Sequence, residues 1–176
     1  NLFNQGVSWF HLCDSEFNLP LNHAKEVCNA LVKSGLGARI KWYCYCSPFS
    51  FDRELARFMK KAGCGGINFG VDSLVDSQLA SLGRKHRLKD IEELVKTLKE
   101  EKINFIFDLL IGGPGETEET IHKTIETAQK IGVPLVGMSL GVRLYPGTPL
   151  AKAGLKESLK EGFHGDESPY LSEPFF

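Results

Sequence analysis

Five short apolar runs, each rich in β-branched or aromatic residues, alternate along this chain with segments of helical periodicity. The runs are VSWFHLC (Val7 to Cys13), ARIKWYCYC (Ala38 to Cys46), GINFGV (Gly66 to Val71), NFIFDLLI (Asn104 to Ile111) and LVGMSLGVRLY (Leu135 to Tyr145). Between them, apolar residues recur three and four apart, as a helix with one buried face requires. Ala24, Val27, Cys28, Leu31 and Val32 mark the first helix, and Leu55, Phe58, Met59 and Ala62 the second. A short helix over Val75 to Leu82 and a longer one over Leu88 to Glu101 make the third connection, the longer one burying Leu88, Ile91, Leu94, Val95 and Leu98. The fourth connection runs from about Glu116 to Ile131 and is expected to bury Ile121, Ile125 and Ala128. Strands apolar on both faces and joined by amphipathic helices predict an α/β fold, a parallel sheet covered by helices.

Right-handed crossovers place the C-terminal end of every such strand on one side, where ligands bind in barrels and open α/β sheets alike. The residues that follow the strands are unusual as a set: Asp14-Ser15-Glu16-Phe17-Asn18, Ser47-Pro48-Phe49-Ser50, Asp72-Ser73, Gly112-Gly113-Pro114-Gly115-Glu116 and Pro146-Gly147-Thr148-Pro149. Each also has a structural reading. Asp14, Ser15 and Asn18 suit a turn before Pro20, Ser50 or Asp52 a helix cap, Asp72-Ser73 a cap of the short helix, and Glu116, Glu118 and Glu119 a helix N-terminus. Asp108 inside an apolar strand needs a partner such as Arg143, because an unpaired buried carboxylate is costly.

DLLIGGPGETEET, residues 108–120, stops a strand on glycines and opens a helix with carboxylates. It lacks the lysine of a Walker phosphate loop, and it fails the spacing and position of a dinucleotide fingerprint. What remains is a strand end whose glycines let a flat ligand, such as an adenine edge, approach the backbone.

At 176 residues the chain fits one domain, read as 1–155 with a tail over 156–176 that receives no structure. Its 21 basic and 22 acidic residues give no electrostatic argument for nucleic acid or an anionic membrane, and no run is long enough to span one. The chain starts at asparagine without a signal-peptide pattern, so a processed chain or a piece of a longer protein is expected. Cys13, Cys28, Cys44, Cys46 and Cys64 are odd in number, contain no C-x-x-C, and read as reduced cytoplasmic thiols, with Cys13 and Cys64 the least buried.

DSEFN at 14–18, GVDS at 70–73, LGRKHR at 82–87, IGGPGET at 111–117 and RLYPGTPLA at 143–151 stand in one order. Together they resemble the radical S-adenosylmethionine enzymes, most closely those that carry a cobalamin-binding domain. LGRKH followed by DLLIGGPGET is also similar to the oxygen-independent coproporphyrinogen oxidases. The resemblance covers about Val7 to Ala153. It implies a partial (β/α)6 TIM-like barrel that binds S-adenosylmethionine across its C-terminal rim. By position it implies Ser15, Glu16 and Asn18 near the methionine amino group and Asp72 and Ser73 near the ribose or carboxylate. Arg84 or Lys85 would pair with that carboxylate, and Ile111, Gly112 and Gly113 would lie beside adenine with Leu144 and Tyr145. No catalytic residue is assigned.

The resemblance further implies a 4Fe-4S cluster in the parent protein, with cobalamin as another of its cofactors. The C-x-x-x-C-x-x-C loop that holds the cluster is absent, since successive cysteines are 15, 16, 2 and 18 positions apart. The chain is therefore expected to start just before the family's second strand, to leave an exposed sheet edge, and to need the N-terminal remainder of its parent. On its own it is expected to be inactive toward an unidentified small-molecule substrate. Two other readings remain: a non-catalytic degenerate barrel that binds a nucleoside or a protein partner, and a metal-assisted α/β enzyme using Asp14, Glu16, Asp72, Asp108 and His11.

Overall fold

The computed structural model describes residues 1–142, 145, 147–149 and 152. Five strands form, β1 (Trp9–Leu12), β2 (Lys41–Cys46), β3 (Cys64–Asp72), β4 (Phe105–Ile111) and β5 (Val136–Leu140). The helices between them are α1 (Leu21–Lys33), α2 (Arg53–Lys61), α3 (Asp76–Ser81), α4 (Leu88–Glu100) and α5 (Glu118–Ile131). All four neighbouring strand pairs are parallel, and the sheet order is the sequence order. That sequential order is the one of an opened barrel; a doubly wound sheet reverses direction at a switch point. Among the described residues β1 pairs only with β2, so its other edge is open.

The core lies between the helices and one face of the sheet. Trp42, Cys44, Phe69, Val71 and Phe107 point from the strands toward Leu55 and Met59 of α2 and Ile91 and Leu98 of α4. Each large side chain fully removed from water contributes about 1.5–3 kcal/mol. Trp42 also satisfies its ring nitrogen, donating to the carbonyl of Ala62 at 2.8 Å.

Several expectations change. The strands are not apolar on both faces: β2 alternates buried and exposed residues throughout. The helices cover only the outer face, and the inner face carries His11, Tyr43, Tyr45, Asn68, Asp108 and Ser139. The segment before β2 is not strand, because Leu36–Ala38 forms a 3-10 turn. β5 ends at Leu140, where Gly141 takes φ +81. Helix α5 begins at Glu118, after Thr117 caps it by accepting from the Thr120 amide at 3.3 Å. On α5 the fully buried strip is Thr124 and Ala128, one turn apart, and Ile121 and Ile125 flank it half-buried. Val32 of α1 is exposed and Leu88 of α4 only partly covered. The tail over 156–176 lies outside the described residues.

Candidate functional site

Parallel pairing brings the C-terminal ends of all five strands to one rim, and hydrogen bonds lock the loops there to one another. The loop after β1 is pinned to the end of β2 by the Phe17 amide, which donates to the Tyr45 carbonyl at 2.8 Å. Asn18 is fully buried. Its Nδ2 donates to the carbonyls of Ser47 at 3.0 Å and Phe49 at 2.9 Å, and its Oδ1 accepts from the Ser47 amide at 2.8 Å. Its amide is thus consumed in joining two loops. Ser15 is exposed and Glu16 half-buried, and neither side chain has a partner among the described residues.

Asp72 ends β3 with φ +63, a left-handed conformation that asparagine and aspartate tolerate better than most residues. Its Oδ2 makes ion-pair contact with Arg84 Nε without hydrogen-bond alignment. Ser73 is buried, its hydroxyl 3.1 Å from Thr124 Oγ1 on α5 and accepting from the Val75 amide at 3.2 Å. This bond ties the β3 loop to α5 and turns the hydroxyl toward the helices. Lys85 lies 5.4 Å from the centre of the Phe49 ring. His86 is buried, its Nε2 3.3 Å from the Val71 carbonyl, so the LGRKHR turn holds the end of β3. Burial pushes the His86 pKa below its ordinary value, and the Arg84 charge adds to that, against the Val71 bond and the Asp72 and Asp90 carboxylates.

At the end of β4, Gly112 takes φ +91 and its amide donates to Glu116 Oε2 at 2.6 Å. The Gly113 amide donates to the same oxygen at 3.2 Å, and the Gly113 carbonyl accepts from the Glu116 amide at 3.1 Å. Glu116 therefore anchors the glycine turn and is not part of the helix. The Ile111 carbonyl is also taken, accepting from Gly141 at 2.7 Å. Tyr145 stands exposed beyond β5, and Leu144, like Arg143, lies outside the described residues.

Sequence reasoning passed over Tyr43, Tyr45, Asn68 and Ser139, which join His11 and Asp108 on the inner face. The signal was present as alternation within each strand, most plainly in KWYCYC. Asp108 occupies space that Gly137 leaves open: a Cβ there would meet Asp108 Oδ1 at 2.6 Å.

The cysteines do not fit a metal cluster, which needs ionised thiolates side by side. Cys13 is exposed, while Cys28, Cys44 and Cys46 are buried. Burial, with smaller contributions from Cys64 and Cys46, pushes the Cys28 thiol up to about 12. The Cys44 thiol is raised as well, first by its contact with Cys46 at 3.8 Å. Among the described residues no three His, Cys, Asp or Glu side chains converge as metal ligands, so the metal-assisted reading lacks a ligand set. Nor is any helix there long and apolar enough to cross a membrane.

Comparisons with known proteins agree with this architecture. The profile of the Radical SAM superfamily matches residues 1–128. Tryptophan 2-C-methyltransferase of Streptomyces laurentii is 32% identical over 161 residues, covering 85% of this chain and 27% of the relative. The radical S-adenosylmethionine methyltransferase TsrM from Kitasatospora setae, solved with cobalamin and a 4Fe-4S cluster bound, superposes with a TM-score of 0.82 at 30% identity. That match covers 97% of this chain and 33% of TsrM, so the chain spans about a third or less of these relatives. The cobalamin-dependent S-adenosylmethionine radical enzyme OxsB shares the fold, with a TM-score of 0.69 at 11% identity over 97% of this chain and 32% of its own. With five parallel strands in sequential order, an ordered rim and a matching profile, this chain belongs to the radical S-adenosylmethionine superfamily.

Proposed function

We propose that this chain is the part of a radical S-adenosylmethionine enzyme core that binds S-adenosylmethionine along its C-terminal rim. One observation carries the reading. The rim's frame is satisfied internally by Asn18, Ser73 and Glu116, while Ser15 and Glu16 stand beside it without partners among the described residues. A rigid frame with a few uncommitted polar groups is what a preorganised ligand site needs.

In this reading the Glu16 carboxylate and Ser15 hydroxyl hold the ammonium of the methionine part. Arg84, 42% exposed, offers its remaining N–H groups to the carboxylate, and Asp72 keeps the guanidinium in place. Ile111, Gly112 and Gly113 form the surface beside adenine with Tyr145. When bound, S-adenosylmethionine supplies a transferable methyl group and a source of the 5′-deoxyadenosyl radical. The cluster does not fit the cysteines of this chain, and its ligands belong to the rest of the parent protein, as would a cobalamin site. The methyltransferase names of both relatives near 30% identity favour methyl transfer to a small molecule as the parent's reaction.

Equilibrium dialysis of labelled S-adenosylmethionine against the intact protein tests this. A saturable affinity that Glu16→Gln weakens by about ten-fold is expected, since a charge-assisted hydrogen bond is lost. Unchanged affinity in that variant would remove Glu16 from the site, and no saturable binding would end the reading.

A further inference from the structure

The end of β3 carries an irregularity on which the rim depends. Gly70 stands opposite Asp108 of β4 and Asp72 opposite Leu109, so Val71 is an extra residue with no partner on β4. A bulge of this kind bends the strand and re-aims the side chain beside it. Here that side chain is Asp72, whose backbone turns to φ +63. A left-handed aspartate next to an unpaired residue is costly and persists only where its surroundings hold it.

The Val71 carbonyl is where it is held. This oxygen has two lone pairs, and two donors reach it. The Ser73 amide donates across Asp72 at 2.9 Å, and His86 Nε2 lies 3.3 Å away. A carbonyl only accepts, so that ring nitrogen carries the proton. The first bond is internal to the turn and moves with it. The second comes from a residue 15 positions further on and fastens the bulge to the LGRKHR segment. His86 is 3% exposed, so packing keeps the ring in place.

The same segment supplies the partner of Asp72. Arg84, two residues before His86, contacts Asp72 Oδ2 through Nε. Its backbone is tied at both ends: the amide donates to the Leu79 carbonyl at 2.8 Å, and the carbonyl accepts from Arg87 Nη1 at 2.6 Å. The ion pair does not set this geometry itself, since the Arg84 side chain is 42% exposed and such a pair is worth about 1 kcal/mol or less. The buried bond from His86 to the bulge is the better-shielded fastening.

We infer that His86 is a positioning residue. By holding the Val71 bulge it sets Asp72 against Arg84, and so aims the guanidinium at a carboxylate on the ligand. Naming that ligand rests on the S-adenosylmethionine reading above; the setting of the pair does not.

Two readouts on the intact protein test this. Without ligand, the NMR resonance of the Arg84 Nε–H group reports the pair, and Asp72→Asn supplies its position in an unpaired arginine. His86→Leu moves the resonance to that position. His86→Gln, whose amide still donates to Val71, leaves it where the unmodified protein has it. With ligand, equilibrium dialysis compares S-adenosylmethionine with its decarboxylated analogue, which keeps the nucleoside, sulfonium and ammonium and lacks only the carboxylate. The unmodified protein and His86→Gln prefer S-adenosylmethionine by about ten-fold. His86→Leu loses about five-fold of that preference and keeps its affinity for the analogue within about two-fold. Melting curves identify folded variants, and His86→Phe, nearer in volume, replaces His86→Leu if that protein does not fold. An unaltered Arg84 resonance in the folded apolar variant overturns the inference. So does an undiminished preference there, or an equal loss of affinity for both ligands. If neither ligand binds saturably while the resonance moves as expected, the S-adenosylmethionine reading fails and the positioning role stands.

Discussion

Glu116 Oε2 accepts from the amides of both Gly112 and Gly113, at 2.6 and 3.2 Å, so a carboxylate from its own loop closes the glycine turn after β4. The turn resembles an anion-binding loop in sequence, yet the N–H groups of Gly112 and Gly113 are already spent on Glu116. At these two glycines the turn presents a rigid backbone surface rather than free donors. Gly113 sits close against α3, where an added Cβ would lie 3.4 Å from Leu82 Cδ2.

Removing that carboxylate leaves two amides without an acceptor. Glu116→Ala is expected to lower stability by about 2 kcal/mol and Glu116→Gln by about 1 kcal/mol or less, because a neutral acceptor retains part of the interaction. Urea unfolding measures the loss, and hydrogen exchange should quicken at Gly112 and Gly113. Equal stability of all three proteins would show that the turn holds itself.

Burial keeps the His86 ring neutral in the fold, with a pKa below its ordinary 6.5. In the unfolded chain the ring gains a proton near 6.5. Its effect on stability is therefore absent above that pH, appears as pH falls below 6.5, and grows until the folded pKa is reached. Asp52 acts in a separate window: burial raises its pKa, but the bonds from Lys25 and the Leu55 amide outweigh that and hold it below 3.8. The stability it contributes is lost only in stronger acid. His86→Gln, which can still donate to Val71, should lose less of its urea midpoint between pH 7.5 and 5.5 than the unmodified protein. Parallel losses would exclude His86 as the source.

Thiol reactivity should follow burial. Cys13 is exposed, Cys64 intermediate, and Cys28, Cys44 and Cys46 buried. An aromatic disulfide reagent near pH 8 is expected to modify Cys13 first and Cys64 more slowly. The remaining three should react only on unfolding, as Cys28 with a pKa of about 12 would form almost no thiolate. Peptide mapping after brief labelling checks the order.

The strand and helix pattern was legible because apolar spacing is local. Ala24 and Cys28, Leu55 and Met59, and Ile91, Leu94 and Leu98 all recur at helical spacing and are all buried. The candidate rim was legible too, since parallel connectivity forces every strand end to one side. Less legible was what each rim residue does. Asn18, Ser73 and Glu116 are polar loop residues in the sequence, indistinguishable there from Ser15 and Glu16, and only their partners 29, 51 and three or four positions away mark them as fasteners.

Periodicity, turn chemistry and the ordered motifs were enough to determine the class of fold and the side on which the strand ends and their loops gather. Those properties depend on neighbours a few residues apart. Tertiary structure alone decided that Asn18 joins two loops, that Ser73 turns to Thr124, and that His86 reaches the Val71 carbonyl. Hydrogen bonds and exposure depend on groups brought together across the sheet, and linear spacing carries no record of which distant partner satisfies which atom.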